Sequence, residues 1–262
     1  MQAFAYSNPT SVADAAKGAA GANAKILAGG QSLLPAMKLG LAAPESLVDL
    51  GQIAELKGIS VSGNVVKIGA MTTHAAVAAS ADVQRAIPAL ADLAGHIGDR
   101  QVRNRGTIGG SLANNDPAAC YPAAALGLGA TIHTNTRDIK ADDFFTGLYE
   151  TALKEGEIIT AVSFPVPEKA AWQKFKQPAS RFSIVGVFVS KGSQGVRVAV
   201  TGAGACVFRA SSLEAKLQSN WSAAALQGAT FPADGLNTDL HGSAEYRAAL
   251  IPVLAQRAVA AS

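Results

Sequence analysis

The chain has 262 residues, 49% of them hydrophobic, which is enough for a sizeable core and more than one subdomain. Charged residues make up only 16% and the formal net charge is +3, with no Lys/Arg block interleaved with aromatics, so a nucleic-acid-binding surface is disfavoured. Two cysteines and four scattered histidines build no disulfide framework, cysteine-ligated cluster or spaced metal set. No apolar run approaches the roughly 20 residues of a membrane span. The N-terminal MQAFAYSNPTS lacks the basic-then-apolar order of a secretory signal, so the default expectation is a cytoplasmic protein. The sparse surface charge fits either a face covered by partners or simply an Ala- and Gly-rich globule.

In chain order, SVADAAKGAAGA has helical spacing with Ser11 as its cap. AKIL (24 to 27) is a short strand running into Gly29 and Gly30, and SLVDL (46 to 50) is a second strand. NVVKIGA (64 to 70) opens a new strand set. Thr73 caps HAAVAASADVQRA, and Pro88 starts PALADLAGHI. GATIHTN and GEIITAVSFP read as strands, and Pro165 with Pro167 marks a boundary. From Trp172 the pattern becomes an antiparallel meander, WQKFKQ, FSIVGVFVS, GVRVAVTGAG and ACVFRA. SSLEAKLQ and SAEYRAALIPVLAQRAVA close the chain as helices. The expected organisation is an α+β chain with an α/β start, in three parts: 1–55, 56–167 and 168–262.

Two stretches stand out, LAGGQSLLPAMKLG from Leu27 and RGTIGGSLANNDPA from Arg105. Glycine lets a backbone approach a ligand and adopt positive φ. Successive exposed N–H groups make a concavity suited to phosphate, and Ser32, Thr107 and Ser111 add hydroxyls. Two such loops are able to grip the two phosphates of one dinucleotide; the plain alternative is a pair of tight turns. There is no G-x-x-x-x-G-K-[ST], and no G-x-G-x-x-G opening a helix with an acid about 20 residues on. A dinucleotide here implies a fold other than Rossmann.

AGGQSLLPAMKLGLAAPESLVDL (28 to 50) and RQVRNRGTIGGSLANNDPAACYPAAALGLGA (100 to 130) resemble the FAD-binding medium subunit of the molybdenum hydroxylases, the carbon monoxide dehydrogenase and xanthine dehydrogenase family. The likeness continues through GLYETALKEGEIITAVSFP, FKQPASRFSIVGVFVS and LHGSAEYRAALIPVLAQRA. It implies a two-part flavin-binding region followed by a three-stranded antiparallel sheet with helices. Noncovalent FAD then lies between the subdomains, with both glycine loops at its pyrophosphate. The implied role is an oxidoreductase subunit relaying electrons. They would come from the two-iron clusters of a small subunit, fed by a molybdenum-pterin large subunit, and go on to an external acceptor. The heterotrimer is expected to double to a dimer of trimers. A stand-alone flavin oxidase and a flavin-free scaffold subunit are the alternatives.

By the same resemblance Ala28, Gly29, Gly30, Gln31, Ser32 and Leu33 form the first cofactor loop. Thr107, Ile108, Gly109, Gly110 and Ser111 form the second. Ile97, Ile158 and Ile159 fall where the family places apolar residues beside the flavin, with core packing as the rival reading. Asn114 and Asp116 are expected at ribityl or ribose hydroxyls, with capping as the rival. Lys176, in FKQ, matches a position near the pyrimidine end, where a cation stabilises negative charge on the ring; the rival is a solvated lysine. Cys120 departs from the acidic residue of many relatives, and a thiol is a weak hydrogen-bonding partner. His74, His96 and His133 read as surface or packing residues. The chain lacks the cysteine-rich insertion by which some relatives hold a four-iron cluster, so no cluster or metal is expected in it.

Overall fold

A computed structural model describes residues 2–262 as three sheets and a small hairpin wrapped by helices. The N-terminal part is a parallel sheet of Ala5–Ser7, Ser46–Asp49 and Ala24–Leu27, with Ser46–Asp49 in the centre. Parallel neighbours need crossovers, and the helices Val12–Ala19 and Leu33–Lys38 lie in them. Ser11 caps the first helix, its side chain accepting from Asp14 N at 3.1 Å. Ala15, Val48, Leu50, Ile53 and Leu56 form a small core there, completed by Met71 and Ile158 from the next region.

The middle part is a five-stranded antiparallel sheet. Its spatial order is Ile59–Ser62, Val65–Gly69, Ile159–Pro165, Thr131–Thr134, Asp138–Lys140. The central strand is the last in chain order, so after Gly69 the chain makes a long helical excursion, returns to the sheet at Thr131–Lys140 and closes its centre with Ile159–Pro165. Val66 and Ile68 are fully buried while Val65 and Lys67 are exposed, the alternation of a sheet covered on one face. The helix expected after Thr73 is two helices, His74–Ala79 and Ala81–Ala86. Ser80 ends the first and caps the second, accepting from Val83 N. Pro88–Gly95 begins at its proline.

Helix Tyr121–Leu128 is buried on every side. It is wedged between the middle sheet and the C-terminal one. A Cβ on Gly127 would stand 2.8 Å from Phe188 Cδ1. Ser190 Oγ donates to Gly127 O at 2.6 Å, and Arg197 Nε to Leu126 O at 2.8 Å. The C-terminal sheet is antiparallel: Lys169–Lys176, Ser183–Gly192, Gly195–Thr201 and a two-residue Phe208–Arg209. The last adds a short fourth strand to the three the resemblance implies. Helices Ser211–Ser219 and Ala244–Ala260 contribute Leu213, Leu217, Ile251, Leu254 and Ala258 to its core. Among the described residues no helix is long and apolar enough to cross a membrane.

Candidate functional site

The first glycine stretch leaves strand Ala24–Leu27 and enters helix Leu33–Lys38. Its two glycines have separate reasons. Gly30 has φ +73°, the left-handed region that side chains avoid. Gly29 packs so tightly on the second stretch that an added Cβ would overlap the carbonyl oxygen of Arg105 and stand 2.7 Å from Gly106 Cα. Gln31 Nε2 donates to Gly29 O at 3.1 Å, and Ser32 begins the helix without a side-chain capping bond. Among the described residues, the N–H groups of Gly29, Gly30, Gln31 and Ser32 donate no hydrogen bond within the chain. Exposed donors of this kind call for water or an anionic ligand.

The second stretch is not a turn but the first turn of a helix, Ile108–Asn114, capped by Thr107. Its N–H groups are already bonded. Ile108 N donates to Thr72 O at 3.1 Å, Gly109 N to Ala70 O at 2.8 Å, Gly110 N to Thr107 Oγ1 at 3.2 Å and Ser111 N to Thr107 O at 3.0 Å. Gly109 is required by packing, since a Cβ would stand 2.6 Å from Ala70 Cβ. At Gly110 a Cβ would meet Thr107 Oγ1 at 2.9 Å and Ala28 Cβ at 3.3 Å, so this glycine brings the two stretches together.

Both stretches line one cleft of about 790 Å³, within the size range of cofactor sites. Ala28 through Leu33, Thr107, Gly109, Gly110 and Ser111 line it, as do Ile97, Asn114, Asp116, Cys120, Ile158 and Ile159. Two expected residues do not. Ile108 is fully buried in the middle core. Lys176 is exposed at the end of its strand, beyond a register shift at Phe175/Lys176, and the lysine of that strand that lines the cleft is Lys174.

Lys174 Nζ donates to His96 O at 3.1 Å and to Cys120 Sγ at 3.3 Å. An ammonium has three donors, so one remains for a ligand. Cys120 is 4% exposed. Asp116 Oδ1 accepts from Ala118 N at 2.8 Å, a capping role, while Oδ2 accepts from the Tyr149 hydroxyl at 3.3 Å. Tyr149 lies at φ +56° in a turn gripped by buried Asn115, whose Nδ2 donates to Gly147 O and Glu150 O. Partial burial and the Asp116 carboxylate push the Tyr149 phenol up.

Tyr149 and Phe182 line the cleft while keeping 58% and 50% of their surface exposed. Neither aromatic was marked by sequence pattern; each lies in a loop. His96 is exposed and His133 bonds Asp138 and Ser163 on the middle sheet. His74 differs: it is a cleft residue, buried beneath the second stretch, with its backbone N–H donating to Gly106 O at 2.9 Å and its ring Nδ1 without a partner. Desolvation, then the Arg103 charge, lowers its pKa to about 4, so the ring is neutral at pH 7. No group of His, Cys, Asp and Glu among the described residues is arranged to hold a metal ion.

The chain is similar along its length to two subunits of known enzymes. It is 35% identical to the carbon monoxide dehydrogenase medium chain of Hydrogenophaga pseudoflava, covering 99% of this chain and 96% of that one. It is also 35% identical to the nicotine 6-hydroxylase medium subunit of Paenarthrobacter nicotinovorans, covering 99% and 97%. Its fold superimposes on a chain of quinoline 2-oxidoreductase from Pseudomonas putida 86 with a TM-score of 0.88 at 32% identity, over 99% and 96% of the two chains. Residues 2–167 match the family described as the FAD binding domain in molybdopterin dehydrogenase. With both glycine stretches on one cleft and this match over most of its length, the chain belongs to the FAD-binding family of the molybdopterin dehydrogenases.

Proposed function

We propose that the chain is the FAD-carrying medium subunit of a cytoplasmic heterotrimeric molybdenum hydroxylase, with an iron–sulfur small subunit, a molybdenum-pterin large subunit and pairing of heterotrimers. The observation that carries this is the single cleft lined by both glycine stretches in a chain alike throughout to medium subunits. The cleft suits FAD. Unbonded N–H groups at Gly29 to Ser32 offer donors to a pyrophosphate, and Gly30 supplies the left-handed turn among them. Asn114 and Asp116 face the cleft as partners for sugar hydroxyls, and Ile97, Ile158 and Ile159 supply apolar contact for a ring.

Bound flavin accepts electrons singly and delivers them in pairs, which suits a post between one-electron clusters and a two-electron acceptor. Lys174 holds a positive charge at the cleft, which favours the electron-loaded cofactor. Lys174→Met is therefore expected to lower the midpoint potential of the flavin that stays bound. The substrate is chosen by the large subunit.

Stopped-flow spectroscopy tests the relay. With this subunit alone, aldehydes, purines or carbon monoxide leave the oxidised flavin spectrum unchanged. Adding the iron–sulfur and molybdenum subunits makes the flavin bleach with the right substrate. Rapid bleaching in the subunit alone would establish a stand-alone oxidase instead.

A further inference from the structure

Three consecutive carbonyl groups, at His96, Ile97 and Gly98, each accept from a cation. Lys174 Nζ donates to His96 O at 3.1 Å. Arg103 Nη1 donates to Ile97 O and Gly98 O, both at 3.1 Å. Arg181 Nη1 reaches Gly98 O at 3.2 Å. A carbonyl has two lone pairs, so Gly98 O is able to serve both arginines. The segment follows helix Pro88–Gly95, whose C-terminal end carries partial negative charge.

Two of these three cations come from the C-terminal part, and Arg181 is held there under strain. It lies in the turn between strands Lys169–Lys176 and Ser183–Gly192 with φ +63°. Gln177 N donates to Phe182 O, Arg181 N to Gln177 O and Ser180 N to Gln177 Oε1, which fixes the turn. Glycine would adopt that φ without strain. Strain that persists at one residue of a cleft is a sign that its side chain has work there. Ile97, Gly98, Arg181 and Phe182 all line the cleft, so the bond from Arg181 to Gly98 joins two of its sides.

We infer that Arg181 is a positioning residue that, with Lys174, clasps the C-terminal part onto residues 96–98 and so retains FAD in the cleft. This rests on the FAD reading above. Release of the cofactor then requires the clasp to open, and release is slow because charge-assisted hydrogen bonds must break.

The test is the rate of FAD release from the purified holo-chain, followed by the rise in flavin fluorescence, alongside the Tm of the apo-chain. Arg181→Gly removes the strain together with the side chain. Apo Tm is expected unchanged or raised, yet FAD leaves about tenfold faster, the size of one charged hydrogen bond. Arg181→Met keeps the backbone strain and removes only the donors; release is again about tenfold faster. Arg181→Lys, which keeps a donor, falls between parent and Met. Release at the parent rate in either the Gly or the Met variant would overturn the clasp. A parent chain that holds no FAD would overturn the cofactor assignment and the clasp together.

Discussion

The two glycine stretches look alike in sequence and do different work. The first keeps its backbone donors unbonded and turns with a left-handed glycine. The second is the capped start of a helix whose donors are all bonded, and its glycines let Ala70 and Ala28 approach. One presents hydrogen-bond donors to the cleft; the other holds the cleft's geometry. A Gly-Gly pair is therefore evidence of close approach, and what approaches it, ligand or backbone, is settled by where the N–H groups go.

The largest effects should come from the glycines that touch backbone. Gly29→Ala and Gly109→Ala each force a Cβ into atoms that cannot rotate away. Each is expected to lose about 3 kcal/mol in urea unfolding of the apo-chain. A loss below 1 kcal/mol at Gly29 would mean that the stretches do not interlock.

Acid should strike the second stretch alone. His74 is buried under Gly106 with its pKa lowered to about 4, while an unfolded histidine titrates near 6.5. Between those values the unfolded chain binds the extra proton, so stability falls as pH drops from about 6.5 to about 4. The expected loss is about 3 kcal/mol, and His74→Phe should flatten that part of the profile. An identical pH profile in the variant would remove His74 from the account.

Gly110→Val sharpens the comparison differently, because its branched side chain enters the contact with Thr107 and Ala28. About 2 kcal/mol of stability should go, and FAD occupancy should fall with it. A folded variant with full occupancy would show that the seam between the stretches is not part of the cofactor site. The smallest effect is Gly30→Ala. Its cost is the left-handed φ, about 1 kcal/mol, because the nearest neighbour is the movable end of Leu34. Thermal unfolding of the apo-chain reads it.

Much of this was legible in the sequence where local chemistry decides. Ser11, Pro88 and the strand AKIL were readable because caps, prolines and short apolar runs act locally. Helix Tyr121–Leu128 carries no periodic signal because no face of it meets water. The helix Ile108–Asn114 was hidden by the glycines of its first turn, which weaken helix propensity. At the cleft, the glycine stretches were visible, but Lys174 rather than Lys176 faces it. A register shift between strands decides that, and no spacing rule reports one. His74, Tyr149 and Arg181 reach the cleft only through tertiary packing and strained turns.

Amide hydrogen exchange with and without FAD tests the central claim most directly. In the apo-chain the amides of Gly29 to Ser32 should exchange fast and those of Ile108 to Ser111 slowly, because only the second set is bonded within the chain. Saturating FAD should slow the first set by at least about tenfold and change the second little. First-stretch amides that exchange equally fast with FAD bound would contradict the assignment of the open donors to the cofactor.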